Sequence, residues 1–199
     1  MVKITELSEK EIEEIGEAFA DHVYADGERG MGFLFGSRDN VKEYICGYAR
    51  AMIKGGYLYS TSENHEAFVA YRYSGEKMSS SAGMGVMKAL LRTIGLGGAI
   101  KMLKAMNSGG KSYEDKFKKS KKPYIFVGML VVRKKYQGQG FMRKALDIAF
   151  EDGKKRHCPV LLDTDAVLKR DKYVHLGMKN VQTRKIGEGS YLYDLVKEN

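Results

Sequence analysis

Proline and cysteine are both scarce, each occurring twice in 199 residues. With so little proline and 43% hydrophobic residues, the chain is too apolar to stay disordered, and its length can bury a core as one domain. Cys46 and Cys158 stand far apart and fit no zinc spacing, so the expectation is two buried thiols in a reducing cytoplasm and no metal site. Long hydrophobic runs are missing too: nothing reaches about 18 uninterrupted apolar residues, so no helix is expected to span a bilayer. Met1-Val2-Lys3-Ile4-Thr5 and the Glu-rich stretch behind it do not form a secretory leader. No Ser-His-Asp or Cys-His set is visible, which argues against a covalent enzyme intermediate. No helix-turn-helix, RNP or zinc signature accompanies the net charge of +9, so a nucleic-acid partner is not expected either. The basic clusters fall at 111–122, 133–135 and 154–156, and the middle one, Arg133-Lys134-Lys135, adjoins a turn suited to an anionic cofactor.

What is present concentrates between Tyr124 and Leu146. A β-branched strand, Ile125 to Val132, runs through a short basic turn into Gln137-Gly138-Gln139-Gly140. An amphipathic helix carrying Met142, Ala145, Leu146, Ala149 and Phe150 on one side follows directly. Strand, glycine turn and helix gather unpaired backbone N–H groups at the positive end of a helix dipole, an arrangement that binds phosphate or pyrophosphate. A P-loop would close with Lys-Ser/Thr, and Phe141-Met142 is not that pair. A dinucleotide fingerprint would need three glycines.

A second stretch, Val160 to Met178, reads as a buried strand, a polar break at Asp163-Thr164-Asp165, and a helix ending at Gly177. Together the two stretches resemble the GNAT superfamily of N-acetyltransferases. Val132 to Gly140 is similar to its acetyl-CoA loop, with Lys134 where the family often has Pro and Met142 where it has Gly or Ala. Tyr173-Val174-His175-Leu176-Gly177-Met178 is similar to its Tyr-x-x-Leu-Gly-Phe element. The resemblance covers residues from about Tyr124 onward.

It implies an α/β fold of GNAT-like, acyl-CoA N-acyltransferase type: a mixed, mostly antiparallel central sheet flanked by helices, with a helical insert between strands 3 and 4. It also implies acetyl-CoA as co-substrate and direct acetyl transfer to an amine of a small molecule or peptide. A cofactor site would be made by Leu130, Val131, Val132, Gln137, Gly138, Gln139, Gly140, Phe141 and Met142, with Tyr173 as general acid. No base is named by the resemblance; Asp163, His22, Asp26 and Glu28 stand as candidates. The alternative is a CoA-binding or regulatory module without turnover. No membrane partner is expected, and a homodimer is left open.

The rest of the chain fits this order. Val2 to Leu7 alternates as a strand, and Ser8 with Glu11 predicts a capping box for a helix bearing Ile12, Ile15, Phe19 and Val23. The glycine-rich interval from Tyr24 to Gly36 reads as a loop, and Asp39 to Lys54 as a helix. Tyr57–Ser62 and Ala67–Tyr73 read as paired strands, and Asn180–Ile186 with Ser190–Val196 as a closing hairpin. The insert, residues 76–122, predicts two short amphipathic helices interrupted at Gly95-Leu96-Gly97-Gly98. Met87, Leu90, Leu91 and Ile94, then Ile100, Leu103 and Met106, would form their apolar face, and Lys88, Arg92, Lys101 and Lys104 the outer one. A cap extending the core is favoured over a Met-rich lid on the acceptor site, and membrane-surface contact is the weakest reading. Lys116 to Lys122 reads as a solvated loop.

Overall fold

The computed structural model describes residues 1–198 as one seven-stranded sheet with helices on both faces. The strands are β1 (Val2–Lys3), β2 (Leu58–Ser60), β3 (Ala67–Tyr73), β4 (Ile125–Val132), β5 (Val160–Thr164), β6 (Lys179–Gly187) and β7 (Ser190–Lys197). The helices are α1 (Glu9–Ala20), α2 (Gly30–Phe35), α3 (Arg38–Gly55), α4 (Ser80–Ser108), α5 (Tyr113–Ser120), α6 (Phe141–Lys155) and α7 (Val167–His175). The sheet order is β1-β2-β3-β4-β5-β7-β6, and the β4–β5 pair alone is parallel. This is the expected mixed, mostly antiparallel arrangement, with the insert between β3 and β4.

Local signals explain most boundaries. Ser8 accepts from the Glu11 N–H while the Glu11 carboxylate accepts from the Ser8 N–H, so both sides of the capping box form. Gly177 takes φ +95 just past α7, the conformation that lets the chain reverse into β6. One face of the sheet packs Ile125, Val127, Val160 and Leu162 against Ala145, Leu146 and Ala149 of α6. The other packs Leu58, Phe68, Ala70, Met129 and Val131 against Ile15 of α1 and Val41, Ile45, Ala49 and Met52 of α3.

Gly128 makes β4 irregular in a way that matters. Ala70 pairs with Met129 and Tyr71 with Val127, so Gly128 is an extra, bulged residue. The bulge resets the alternation: Ile125 and Val127 lie on the α6 face, but after it Met129 and Val131 lie on the α3 face.

Three expectations need correction. The interval from Tyr24 to Gly36 is not all loop, because Gly30–Phe35 forms α2 with Phe35 driven into the core. Lys116 to Lys122 is mostly helical: Ser112 and Asp115 form a second capping box that starts α5 ahead of the lysines. In the insert, α4 does break at Gly95 (φ 64, ψ 178) into two arms, and Lys88, Arg92, Lys101 and Lys104 do face outward, but only part of the expected apolar face is covered. Leu90, Ile94 and Met102 pack inward, whereas Met87, Leu91, Ile100 and Leu103 are exposed. The reason is close approach: a Cβ on Gly47 of α3 would lie 2.5 Å from the Ala89 Cβ, and one on Gly85 would lie 2.8 Å from the Ala51 Cβ. Small residues fill the contact between α3 and the first arm, so Met87 and Leu91 are left outside.

Candidate active site

The site opens where two neighbouring strands part. β4 pairs with β5 only over Ile125–Val127 against Val160–Leu162, yet β4 continues to Val132 and β5 to Thr164. Beyond the Gly128 bulge the two strands no longer bond to each other, so their facing edges border a cavity of about 540 Å³. Its walls include Val127 to Val132, Leu162 to Asp165, Tyr173, and the turn residues Gln137, Gly138, Gly140, Phe141 and Met142. Leu130, Val131 and Val132 border this cavity along the free edge of β4, although the Val131 side chain points into the α3-side core.

The turn before α6 is built to receive an anion. Gly138 and Gly140 take φ +76 and +80, and a Cβ on either would meet nothing within 4 Å. No side chain caps α6, and no acidic residue sits in its first turn, so its first N–H groups keep no intrahelical partner. Two side chains hold the turn from behind: the Gln137 amide donates to the Val132 carbonyl at 3.1 Å and the Gln139 amide to the Lys135 carbonyl at 2.9 Å. Gln139 does not border the cavity; it braces the loop. These features fit a pyrophosphate, with the chain's own backbone N–H groups as donors.

The basic cluster beside the turn is mostly committed elsewhere. Arg133 is 8% exposed and pairs with Glu14 at 2.5 Å, donating also to the carbonyls of Asn64 and His65. Lys134 pairs with Asp21 at 2.5 Å. Of the three, only Lys135 forms no ion pair among the described residues and so remains free to meet an anionic cofactor. Sequence reading missed Arg143 and Lys172, which border a second cavity, between α6 and α7, next to the same turn.

Of the four candidate bases, two face the cleft. Asp163, at the open end of β5, keeps 34% of its side chain exposed and contacts Arg184 at 3.3 Å. Burial pushes its carboxyl up to about 6, overcoming the Arg184 charge. His22 borders the cleft from the end of α1; its Nε2 is buried without a partner among the described residues, and burial with nearby Lys169 lowers the ring to about 4. Glu28 accepts from the Val167 N–H at 2.9 Å and from the Tyr193 hydroxyl at 3.2 Å, so it fastens the 24–36 segment to α7. Asp26 is exposed and away from the cleft. Asp165 is taken up by the Tyr24 hydroxyl (2.5 Å), the Met31 N–H (2.8 Å) and Lys169 (3.1 Å).

Tyr173, on α7, is 7% exposed and borders the cavity; burial pushes its phenol well above the ordinary range, with the Asp165 charge adding to the shift. Tyr48 projects from α3 toward the Gly128 bulge. Its hydroxyl occupies the space a side chain at Gly128 would fill, 2.1 Å from where that Cβ would stand, and so reaches the cavity at the bulge. Phe19, Met31, Leu34, Phe35, Tyr44 and Met102 complete an apolar, aromatic chamber on the far side of the opening.

Residues 99–172 match the Acetyltransferase (GNAT) family, a stretch that holds the splayed strands and the glycine turn and ends one residue before Tyr173. The fold agrees over the whole chain. A mutant agmatine N-acetyltransferase in its apo form superposes at TM-score 0.59, with 14% identity over 100% of this chain and 99% of that one. The likeness to that family thus rests on residues 99–172, and the likeness of fold on the whole chain. Two further structures align nearly as fully: polyamine N-acetyltransferase of Drosophila melanogaster (TM-score 0.56, 15% identity, 98% of both chains) and arylalkylamine N-acetyltransferase 2 of Aedes aegypti (0.56, 12%, 96% of both). No curated protein sequence matches the chain.

Proposed function

We propose that the protein transfers the acetyl group of acetyl-CoA to the amine of a small molecule with an apolar or aromatic body. The observation that carries this reading is the parting of β4 and β5 between a phosphate-suited turn on one side and an apolar chamber on the other. The turn from Gln137 to Met142 holds the pyrophosphate through backbone N–H groups, and the free edge of Leu130 to Val132 binds the pantetheine arm. That orients the thioester across the opening.

The amine enters from the chamber bordered by Phe35, Tyr44, Tyr48 and Met102. Asp163, whose carboxyl sits near 6, accepts a proton from the ammonium so that the neutral nitrogen can attack. A carbon–nitrogen bond forms, the carbon–sulfur bond breaks, and the Tyr173 hydroxyl donates to the departing thiolate; the proton shed by the new amide nitrogen restores Tyr173 through solvent, and Asp163 releases its own to bulk water. Its raised pKa keeps it protonated at neutral pH.

The test is thiol release from acetyl-CoA across a panel of phenethylamine-like, alkyl, polyamine, aminoglycoside and peptide amines. Aromatic and alkyl amines should give the highest kcat/KM. Absence of CoA binding in calorimetry at millimolar ligand would remove the reading altogether.

A further inference from the structure

We propose that the outer face of α4 docks on anionic lipid bilayers. Six of the twelve large hydrophobic side chains exposed among the described residues lie on this one helix: Met84, Met87, Leu91, Leu96, Ile100 and Leu103, each between 38% and 69% exposed. Met84, Met87 and Leu91 follow i, i+3, i+7 on the first arm, and Leu96, Ile100 and Leu103 follow i, i+4, i+7 on the second. Each set forms one stripe, which is how an interfacial helix meets acyl chains. Both arms are held against the body: the first by the close Gly47–Ala89 and Gly85–Ala51 contacts with α3, the second by Met102 packed on the α3-side core.

Charge selects the occupant. From Lys77 to Lys111 the chain carries Lys77, Lys88, Arg92, Lys101, Lys104 and Lys111 and no acidic residue. Lys88, Lys101 and Lys104 are exposed and make no ion pair among the described residues, while Arg92 reaches Glu43 at 3.4 Å. Apolar stripes flanked only by cations suit a surface of acyl chains and anionic headgroups. A second copy fits badly, because a two-fold pairing through this face would bring the same cations together. No helix among the described residues is long and apolar enough to cross a membrane, so the contact is one of lying on the surface. Met102 and Met106, on the inner side of the second arm, border the acceptor chamber, which places that chamber close to the docked face.

The experiment is co-sedimentation of the full chain with vesicles of phosphatidylcholine alone and of equimolar phosphatidylcholine and phosphatidylglycerol. Binding should appear with the anionic vesicles and weaken with salt. Replacing Lys88 and Lys101 with Gln should cut partitioning roughly 25-fold, because each cation near an anionic surface multiplies it by about fivefold. Leu91→Gln with Leu103→Gln should abolish it while leaving the circular dichroism and thiol-release rate unchanged. Since the chain has no tryptophan, Leu103→Trp introduces a lone indole at an exposed site, and brominated lipids should quench it. Failure to bind anionic vesicles, binding indifferent to both sets of substitutions, or self-association blocked by Leu91→Gln would each overturn the proposal.

Discussion

At Asp163, burial and Arg184 act in opposite directions on one carboxyl group, and burial prevails, leaving it near 6. Because the folded value lies above the ordinary 3.8, the stability this group contributes is full below about pH 4 and is lost as pH rises through about 6. Replacing it with Asn should therefore raise Tm near pH 8 and do little at pH 4; Arg184 keeps its partner in Asp194 at 2.7 Å, so no buried cation is orphaned. Activity should move the other way. The wild-type kcat/KM should climb through an apparent pKa near 6, whereas Asp163→Asn should lose that limb and about 100- to 10,000-fold in rate. An unchanged limb would clear Asp163 of the role. Tyr173 separates packing from chemistry still more simply, since Tyr173→Phe removes one hydroxyl and little volume. Turnover should fall about 10- to 1,000-fold with acetyl-CoA affinity little altered. Wild-type turnover under chemistry-limited conditions would show that the residue only packs.

The strand, glycine turn and helix of 125–155 were legible in the sequence because each is a local pattern: β-branched alternation, two glycines where φ is positive, and a 3.6-residue apolar repeat. The bulge was not, because it depends on which residue of β3 faces which of β4, and that register joins segments more than fifty residues apart. Nor was the partner it admits, since Tyr48 reads in sequence as one more inward position on α3. The exposure of Met87, Leu91, Ile100 and Leu103 escaped for a related reason: apolar periodicity marks a face but does not say how much of it a neighbouring helix covers. At Gly128 the dependence can be measured. Gly128→Ala adds a Cβ where the Tyr48 hydroxyl stands at 2.1 Å, so something must shift. A loss of about 1–3 kcal/mol in urea unfolding is expected. Tyr48→Phe removes the obstructing oxygen, so the double variant should recover part of that loss and the two changes should couple. Simple additivity would mean that the hydroxyl does not hold the bulge in place.

Across the whole molecule the net charge of +9 divides into cations spent on the fold and cations left facing solvent. Composition could not make that division. Arg133 and Lys134 look like phosphate ligands in sequence, yet the acidic α1 and the residue just after it supply Glu14 and Asp21 as their partners. Lys135, Arg143 and Lys172 are exposed beside the turn and remain to meet a polyphosphate. The two groups should therefore respond differently to ligand. Acetyl-CoA at about 100 times its Kd should stabilise the native state by about 2.7 kcal/mol. In a chain of this size that raises Tm by roughly 5–10 °C. Replacing Lys135, Arg143 and Lys172 together with Gln should leave the ligand-free Tm near wild type, shrink the shift at fixed ligand, and flatten its dependence on salt. Arg133→Gln should instead lower the ligand-free Tm, because it strands Glu14 and the carbonyls of Asn64 and His65, and should leave the ligand-induced increment largely intact. Differential scanning fluorimetry with and without acetyl-CoA, at low and at high salt, reads both quantities from one plate. If the triple variant kept the full shift, phosphate recognition would rest on the backbone of the turn alone.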